Sequence, residues 1–303
     1  MTIQFNTIGI IGRLKNAGVK ETLHTLVDYL QELGIAIVVE AETAESIPNC
    51  KLPTVARDQL GEACDLVIVV GGDGSLLSAA HAVIQSETPV LGINRGSLGF
   101  LTDVRPKELH KIRDILNGEY TLEKRFLLTA MVELNGKLLG HDDALNEVAL
   151  IPNMTPHMSE FEIYIDDQFV CSQNSDGLII ATPTGSTAYA LSGGGPILHP
   201  GLDAIVLVPM FPHTLSSRPI VVEGNRRITI HISPNNSKSP RLSCDGQAYI
   251  NSPAGSRISI AKKTQQLHLL HPLDYNYYTA LRSKLHWGKK LRFSEEEGHV
   301  DSH

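Results

Sequence analysis

DLVIVVGGDGSLLSAA, residues 65–80, is an aliphatic strand that breaks into two glycines, an aspartate, a third glycine and a serine, then resumes at helical spacing. An uninterrupted aliphatic strand suits the middle of a parallel sheet covered on both faces, and the helix after it suits the crossover such a sheet needs. The glycine turn leaves backbone N–H groups open beside the positive end of a helix, where phosphate oxygens are attracted. It also lies outside the carboxyl end of a strand, where open α/β sheets bind ligands. The loop is neither GxGxxG nor a Walker A sequence, because no Lys-Ser/Thr pair follows the glycines. Asp73 is therefore a lone carboxylate in a phosphate-type loop. Either it takes a proton from a hydroxyl or meets a metal, or it caps the helix as the Asp of an ordinary Asp-Gly turn.

Outward from this stretch, TIGIIG (7–12), IAIVVE (35–40) and PVLGIN (89–94) read as further strands. Between the first two, Leu23, Leu26, Val27, Leu30 and Leu33 share one helical face that Gly34 ends. A helix over PKELHKIRDILNG (106–118) follows, so residues 1–125 read as an α/β domain with a parallel sheet. From Phe126 the pattern turns to period two. FLLTAMVELNGKLLG (126–140) carries Asn135-Gly136 between apolar runs, and FEIYIDDQFVCS (161–172) carries Asp166-Asp167. RRITIHIS (226–233) and SRISIAKK (256–263) continue the alternation, so 126–273 read as an antiparallel, all-β domain. Tyr277, Tyr278, Leu281 and Leu285 share a face of a last helix, 274–291, expected to pack back on the first domain. The tail SEEEGHVDSH, 294–303, has too little apolar surface to order itself.

With 42% hydrophobic and 19% charged residues, 303 residues supply core for one large domain or two ordinary ones. A net charge of -7 with no basic stripe argues against a nucleic-acid partner. KKLRF (289–293) reads as a solvated patch. Cys50, Cys64, Cys171 and Cys244 are scattered, with no CxxC and no metal-type spacing, and read as reduced thiols of a cytoplasmic protein. MTIQFNTIGIIGRL at the start reads as a first strand and not as a signal peptide. No apolar run nears the roughly 20 residues of a membrane span, so no membrane partner is expected. Thirteen histidines form no HxH or HExxH arrangement, and His268 and His271 of LHLLHP (267–272) read as structural.

Two further stretches carry chemistry. SDGLIIATPTGSTAYALSGGGPIL (175–198) crowds Thr182, Thr184, Ser186, Thr187, Ser192 and several glycines around Tyr189. Small hydroxyl residues and glycines let a backbone approach a ligand closely and bond sugar or phosphate oxygens; a turn-rich connection is the plainer reading. In ALNEVALIP (144–152), Asn146 and Glu147 open a strand. An amide beside a carboxylate suits a nucleoside, pairing with a base edge and ribose hydroxyls, although a turn-to-strand boundary looks the same.

Together these stretches resemble the NAD kinase family. GGDGS, the Asn-Glu pair and above all DGLIIATPTGSTAYALSGGGP look like its hallmark segments. GINRGSLGFLTD (92–103) and LVPMFPHTLSSRP (207–219) match as well, so the likeness spans roughly residues 5–290. The first motif alone is shared with phosphofructokinases and with diacylglycerol and sphingosine kinases; the second separates NAD kinases from them. The resemblance implies an N-terminal α/β domain, a C-terminal β domain and a cleft between them for NAD. It implies transfer of the ATP γ-phosphoryl group to the 2′-hydroxyl of the adenosine ribose, assisted by a divalent metal, Mg²⁺, that bridges the nucleotide's oxygens. Asp73 falls on the catalytic position, with Gly71, Gly72 and Gly74 facing phosphates. Asn146 and Glu147 fall on the pair that holds adenosine, and Asp176 on a carboxylate at the nicotinamide end. Thr184, Thr187, Ala188, Tyr189, Ala190, Leu191 and Ser192 fall on the loop that wraps the dinucleotide, and His157 and Gln247 on less distinctive contacts. Asn174 stands where related bacterial sequences carry Arg, which implies readier use of NADH. A homodimer or homotetramer is implied too.

Overall fold

The computed structural model describes residues 4–12, 17–47, 50–95, 99–153 and 158–287. The N-terminal part alternates strand and helix: β1 (Thr7–Gly12), α1 (Ala17–Glu32), β2 (Ala36–Glu40), the short α2 (Ala41–Ala44), β3 (Thr54–Val55), the short α3 (Leu60–Ala63), β4 (Leu66–Gly71), α4 (Asp73–Val83), β5 (Val90–Asn94) and α5 (His110–Leu116). The strands pair in parallel in the order β3-β2-β1-β4-β5. Side chains of β4 alternate between two cores, as a strand's period of two requires. Leu66, Ile68 and Val70 join Leu23 and Leu26 of α1 and Ile112 of α5, while Val67 and Val69 join Leu76, Ala80 and Val83 of α4. Every residue of β4 is buried, which is why its sequence shows no polar alternation. The chain leaves β1 toward β2 on one side and returns to β4 on the other. The crevice at this switch point opens beyond the C-terminal ends of β1 and β4, where the glycine turn stands.

The second part is mostly antiparallel: β6 (Tyr120–Leu134), β7 (Lys137–Ala144), β8 (Glu147–Ile151), β9 (Ser159–Ile165), β10 (Gln168–Ser175), β11 (Gly177–Ala181), the short α6 (Tyr189–Ser192), β12 (Ala204–Met210), β13 (Ile220–Glu223), β14 (Ile228–Ile232), β15 (Arg241–Cys244), β16 (Ala248–Asn251) and β17 (Arg257–Pro272), followed by α7 (Tyr277–Leu285). The β6–β7 and β9–β10 hairpins turn at Asn135-Gly136 and Asp166-Asp167, all four with positive φ between 48° and 76°, the left-handed pair a two-residue turn needs. Among the described residues a six-stranded sheet, β13-β12-β11-β8-β15-β16, packs on the larger sheet through Leu150, Leu178, Ile180 and Leu207 against Leu128, Phe161, Ile230 and Ile258. The fold class is thus an α/β part with a parallel sheet joined to a β sandwich.

One feature is not visible in the periodicity. β17 lies parallel to β5 at Leu269 and antiparallel to β6 and β14, so the parallel sheet and one layer of the sandwich form a continuous sheet of 11 strands among the described residues. Residue 125, the expected boundary between the two parts, falls inside β6. α4 begins at Asp73, directly after Gly72 in the extended cap conformation (φ -109°, ψ -172°). α7 starts after Asn276, whose side-chain oxygen accepts the Thr279 N–H at 3.0 Å. The Tyr277 ring lies 6.3 Å from Phe100, and Asp274 accepts from Lys111 of α5 at 2.8 Å. The tail 294–303 lies outside the described residues. Among those described, no helix is long and apolar enough to cross a membrane, and the four cysteines are free.

α4 is tied to the sandwich by His81, whose Nε2 lies 2.9 Å from Asp245 Oδ2 in the β15–β16 turn. Burial works against a charge on His81. The hydrogen bond and charge of Asp245, with Asp142 and Asp143 nearby, outweigh it and raise the pKa above its ordinary value. A raised histidine pKa stabilises the fold fully below the unfolded value of about 6.5, and this contribution disappears as pH climbs through the folded value. The melting temperature of His81→Gln should therefore fall furthest below wild type near pH 6, with the gap narrowing toward pH 9; a gap independent of pH would show that the ion pair contributes nothing.

Candidate functional site

Asp73 opens α4 but does not cap it. Its carboxylate instead reaches the loop 99–102. Oδ2 accepts from the Phe100 N–H at 3.0 Å, and Oδ1 accepts from the Leu101 N–H at 3.0 Å and the Thr102 hydroxyl at 3.2 Å. Gly99 permits this approach, since a Cβ there would overlap Asp73 Oδ1. A carboxylate offers about four lone-pair sites, so three fixed donors leave Asp73 oriented with acceptor capacity on Oδ2. Around Gly72 and Gly74 the space a Cβ would occupy is open, so a ligand can meet the turn's backbone. The Gly71 carbonyl accepts from the Arg95 N–H at 3.3 Å. Arg95 in turn lines a cleft of about 470 Å³ together with Thr22, Asn94, Arg105 and Lys107.

Asn146 and Glu147 sit where β8 begins, and one carboxylate fixes that backbone. Asp245 accepts from the N–H groups of Leu145 at 2.7 Å, Asn146 at 2.8 Å and Glu147 at 3.0 Å. Asp245 is not among the residues expected from the sequence, whereas Gln247, two residues later, is. The available signal was the Asp245-Gly246 dipeptide, whose φ values of 52° and 67° form a left-handed turn. Gln247 itself is exposed. The loop after β11 packs on the same spot. The Thr182 hydroxyl donates to the Leu145 carbonyl at 2.6 Å, and a Cβ on Gly185 would overlap the Asn146 carbonyl. Tyr189 and Glu147 are neighbours: the Tyr189 N–H lies close enough to the Glu147 carboxylate to favour its charged form. Thr184 is buried, Thr187, Ala188 and Leu191 are half-buried, and Tyr189 and Ser192 are exposed. Ala190 is fully buried with Ile179, Val206 and Val208.

Within one chain the structure brings Asn146 and Glu147 together with the loop after β11, but not every expected residue lies there. Asp176 precedes β11, whose far end, Ala181, pairs with Glu147. At about 3.4 Å per strand residue, Asp176 stands roughly 17 Å away from that corner. Asn174, on β10, is exposed beside it. His157 lies outside the described residues. Among the described residues no three His, Cys, Asp or Glu side chains gather into a metal site.

Glu147 is strongly perturbed in this corner. Burial, with the Asp245 charge beside it, pushes its pKa to about 7 despite the Tyr189 N–H. Its Oε2 is buried with no hydrogen-bond partner among the described residues. A buried acceptor left unpaired is costly, and it marks a place where a ligand's hydroxyl or N–H would be welcome.

Two family models match the chain, the ATP-NAD kinase N-terminal domain over residues 8–120 and the ATP-NAD kinase C-terminal domain over residues 145–271. The NAD kinase of Ectopseudomonas mendocina (strain ymp) is 56% identical over 289 residues, covering 95% of this chain and 98% of its own. That of Pseudomonas syringae pv. syringae (strain B728a) is 57% identical with the same coverage. Among solved structures, yeast NADH kinase complexed with NADH superimposes with a TM-score of 0.84 at 24% identity, covering 96% of this chain and 90% of that one. An NAD kinase from Archaeoglobus fulgidus in complex with ATP gives 0.72 at 24% identity, over 92% and 98%. At that identity the two structures establish likeness of fold.

The Glu147 shift has a measurable sign. A carboxyl whose folded pKa lies near 7, against about 4.5 unfolded, binds more protons folded than unfolded, so it lowers stability as pH rises between those values. The melting temperature of Glu147→Gln should gain on wild type from pH 5 to pH 7.5 and hold level above. A constant difference would mean that Glu147 titrates normally.

Proposed function

We propose a division of labour among the site residues on a premise that the two family models and the near-full-length relatives establish: the chain belongs to the NAD kinase family. Its reaction is the transfer of the γ-phosphoryl group of ATP to the 2′-hydroxyl of the adenosine ribose of NAD, giving NADP and ADP. Asp73 is the group that meets that hydroxyl. The observation that carries this reading is its carboxylate, standing at the topological switch point and fixed by three donors from the loop 99–102 with acceptor capacity left on Oδ2. Gly71, Gly72 and Gly74 present backbone to the phosphates. Asn146 and the unpaired Glu147 Oε2 serve the adenosine end. Thr184, Thr187, Ala188, Tyr189, Ala190, Leu191 and Ser192 form the wrapping loop, in which Ala190 supplies packing. His157 and Gln247 remain candidate contacts.

The basic cleft of Arg95, Arg105 and Lys107, one peptide hydrogen bond from Gly71, suits the triphosphate of the donor. Mg²⁺ would be carried on the donor's phosphate oxygens, where it neutralises charge that develops in transfer. Asn174 and Asp176 are assigned to the nicotinamide end. Their distance from Glu147 within one chain supports a homodimer or homotetramer in which they serve a ligand held by a second copy. The expected location is the cytoplasm, and the expected unit that binds NAD is 126–273.

Asp73→Asn should lower kcat by about 10²–10⁴-fold, with NAD binding by calorimetry changed far less; undiminished turnover would remove Asp73 from the reaction. Asn174→Arg should shift the ratio of NADH to NAD phosphorylation toward NAD, and an unchanged ratio would end the role given to Asn174.

A further inference from the structure

Behind the wrapping loop lies a group of buried and half-buried charges that the roles above do not use. His271, near the end of β17, is fully buried. Its Nδ1 lies 2.9 Å from Asp103 Oδ2 and its Nε2 3.1 Å from Glu123 Oε2. A neutral imidazole donates from only one nitrogen, so two carboxylates in line with both nitrogens require the imidazolium. Burial opposes that charge, and the hydrogen bonds to Asp103 and Glu123 overcome it and raise the pKa. Tyr275 stacks on the ring at 3.8 Å with 11° between planes. Arg125 of β6, also buried, closes the group: its Nε and Nη2 both bond Glu123 Oε2. Two anions and two cations balance.

The fifth member gives the group its meaning. Arg125 Nη1 donates to the Thr184 hydroxyl at 3.2 Å. Guanidinium can only donate, so the Thr184 oxygen is held as an acceptor on that side, and its own hydrogen must point elsewhere. The other end of the group, Asp103, directly follows Thr102, whose hydroxyl binds Asp73. A continuous line thus runs from the Asp73 loop through Asp103, His271, Glu123 and Arg125 to Thr184. A surface ion pair would be loose and weak; here both cations, His271 and Arg125, are buried.

We propose that Arg125 is a positioning residue for NAD: held by the Asp103–His271–Glu123 chain, it fixes the Thr184 hydroxyl as a hydrogen-bond donor to the dinucleotide. The proposal rests on the reading that Thr184 touches NAD. The structure supplies a reason for arginine there, since a lysine has no fork to grip Glu123 while reaching Thr184.

The test uses the full-length enzyme, with steady-state kinetics in NAD and in ATP and a melting curve for each variant. Thr184→Val removes the hydroxyl and leaves the charges in place. It should raise KM for NAD about ten-fold, the scale of one hydrogen bond to a bound ligand. Arg125→Lys should raise KM for NAD by a similar factor with kcat and KM for ATP nearly unchanged. Combining it with Thr184→Val should add little beyond either alone. Where Arg125→Lys lacks a wild-type melting transition, Glu123→Gln, isosteric but uncharged, is the milder variant and should raise KM for NAD several-fold. A wild-type KM in Thr184→Val would overturn the contact of Thr184 with NAD and the proposal with it. A raised KM in Thr184→Val with no change in Arg125→Lys or Glu123→Gln, or effects that multiply in the double variant, would leave that contact standing and overturn the positioning role of Arg125.

Discussion

The corner of the site depends on one buried carboxylate, Asp245. Its two oxygens collect three consecutive backbone N–H groups, those of Leu145, Asn146 and Glu147, and the imidazole of His81. Consecutive amides can converge on one anion only where the chain turns into β8. Asp245 can meet them only because it sits in a left-handed Asp-Gly turn at φ 52°. The first three contacts set the direction in which Asn146 and Glu147 emerge. The fourth reaches α4, the helix that begins with Asp73, so one side chain links the sandwich corner to that helix. Removing it would leave three backbone donors of Leu145, Asn146 and Glu147 without their acceptor, which is worse than never having had it.

This arrangement has an electrostatic consequence next door. After burial itself, the buried Asp245 carboxylate beside Glu147 disfavours a second negative charge there, and together they raise the Glu147 pKa to about 7, so that the carboxyl is still partly protonated at neutral pH. The same constraint that aims Glu147 also makes it costly to ionise and leaves Oε2 without a partner. In an empty site this is a cost to stability. For a ligand carrying hydroxyl groups it is affinity waiting to be released, a familiar conflict between stability and binding.

Much of this was legible in the sequence, and the limits have physical causes. A six-residue buried strand followed by glycines and a helix announces a parallel sheet and its switch point, because burial on both faces removes polar residues and a crossover demands a helix. The hairpins at Asn135-Gly136 and Asp166-Asp167 were legible for the same local reason: few residues accept positive φ. The Asp73, Asn146, Glu147 and Thr184 stretches could be picked out by composition and by resemblance. What could not be picked out was anything made by pairs distant in the chain. His81 and Asp245 are separated by 164 residues, and His271 and Asp103 by 168. No periodicity connects them, so His271 read as bland structure and Asp245 was passed over in favour of the exposed Gln247. The joining of both parts into one sheet by β17 escaped for a related reason. A strand's alternation says which face is buried, not which neighbours lie on either edge.

The way Asp73 is held bears on what it can do. If the reaction needed a strong base, tying up three of about four acceptor positions would be a poor arrangement. Phosphoryl transfer makes a different demand. Its transition state is loose, with little bond formation to the incoming oxygen, so placing the hydroxyl in line with the phosphorus matters more than the strength of the base. A carboxylate pinned by the Phe100 and Leu101 amides and the Thr102 hydroxyl cannot swing, and the acceptor capacity left on Oδ2 then has a fixed direction. The absence of a side chain at Gly99 follows from the same geometry, since any Cβ would collide with the carboxylate. On this view the loop 99–102 is part of the machinery even though none of its residues need touch a substrate. Its donors convert a flexible acid into an oriented one.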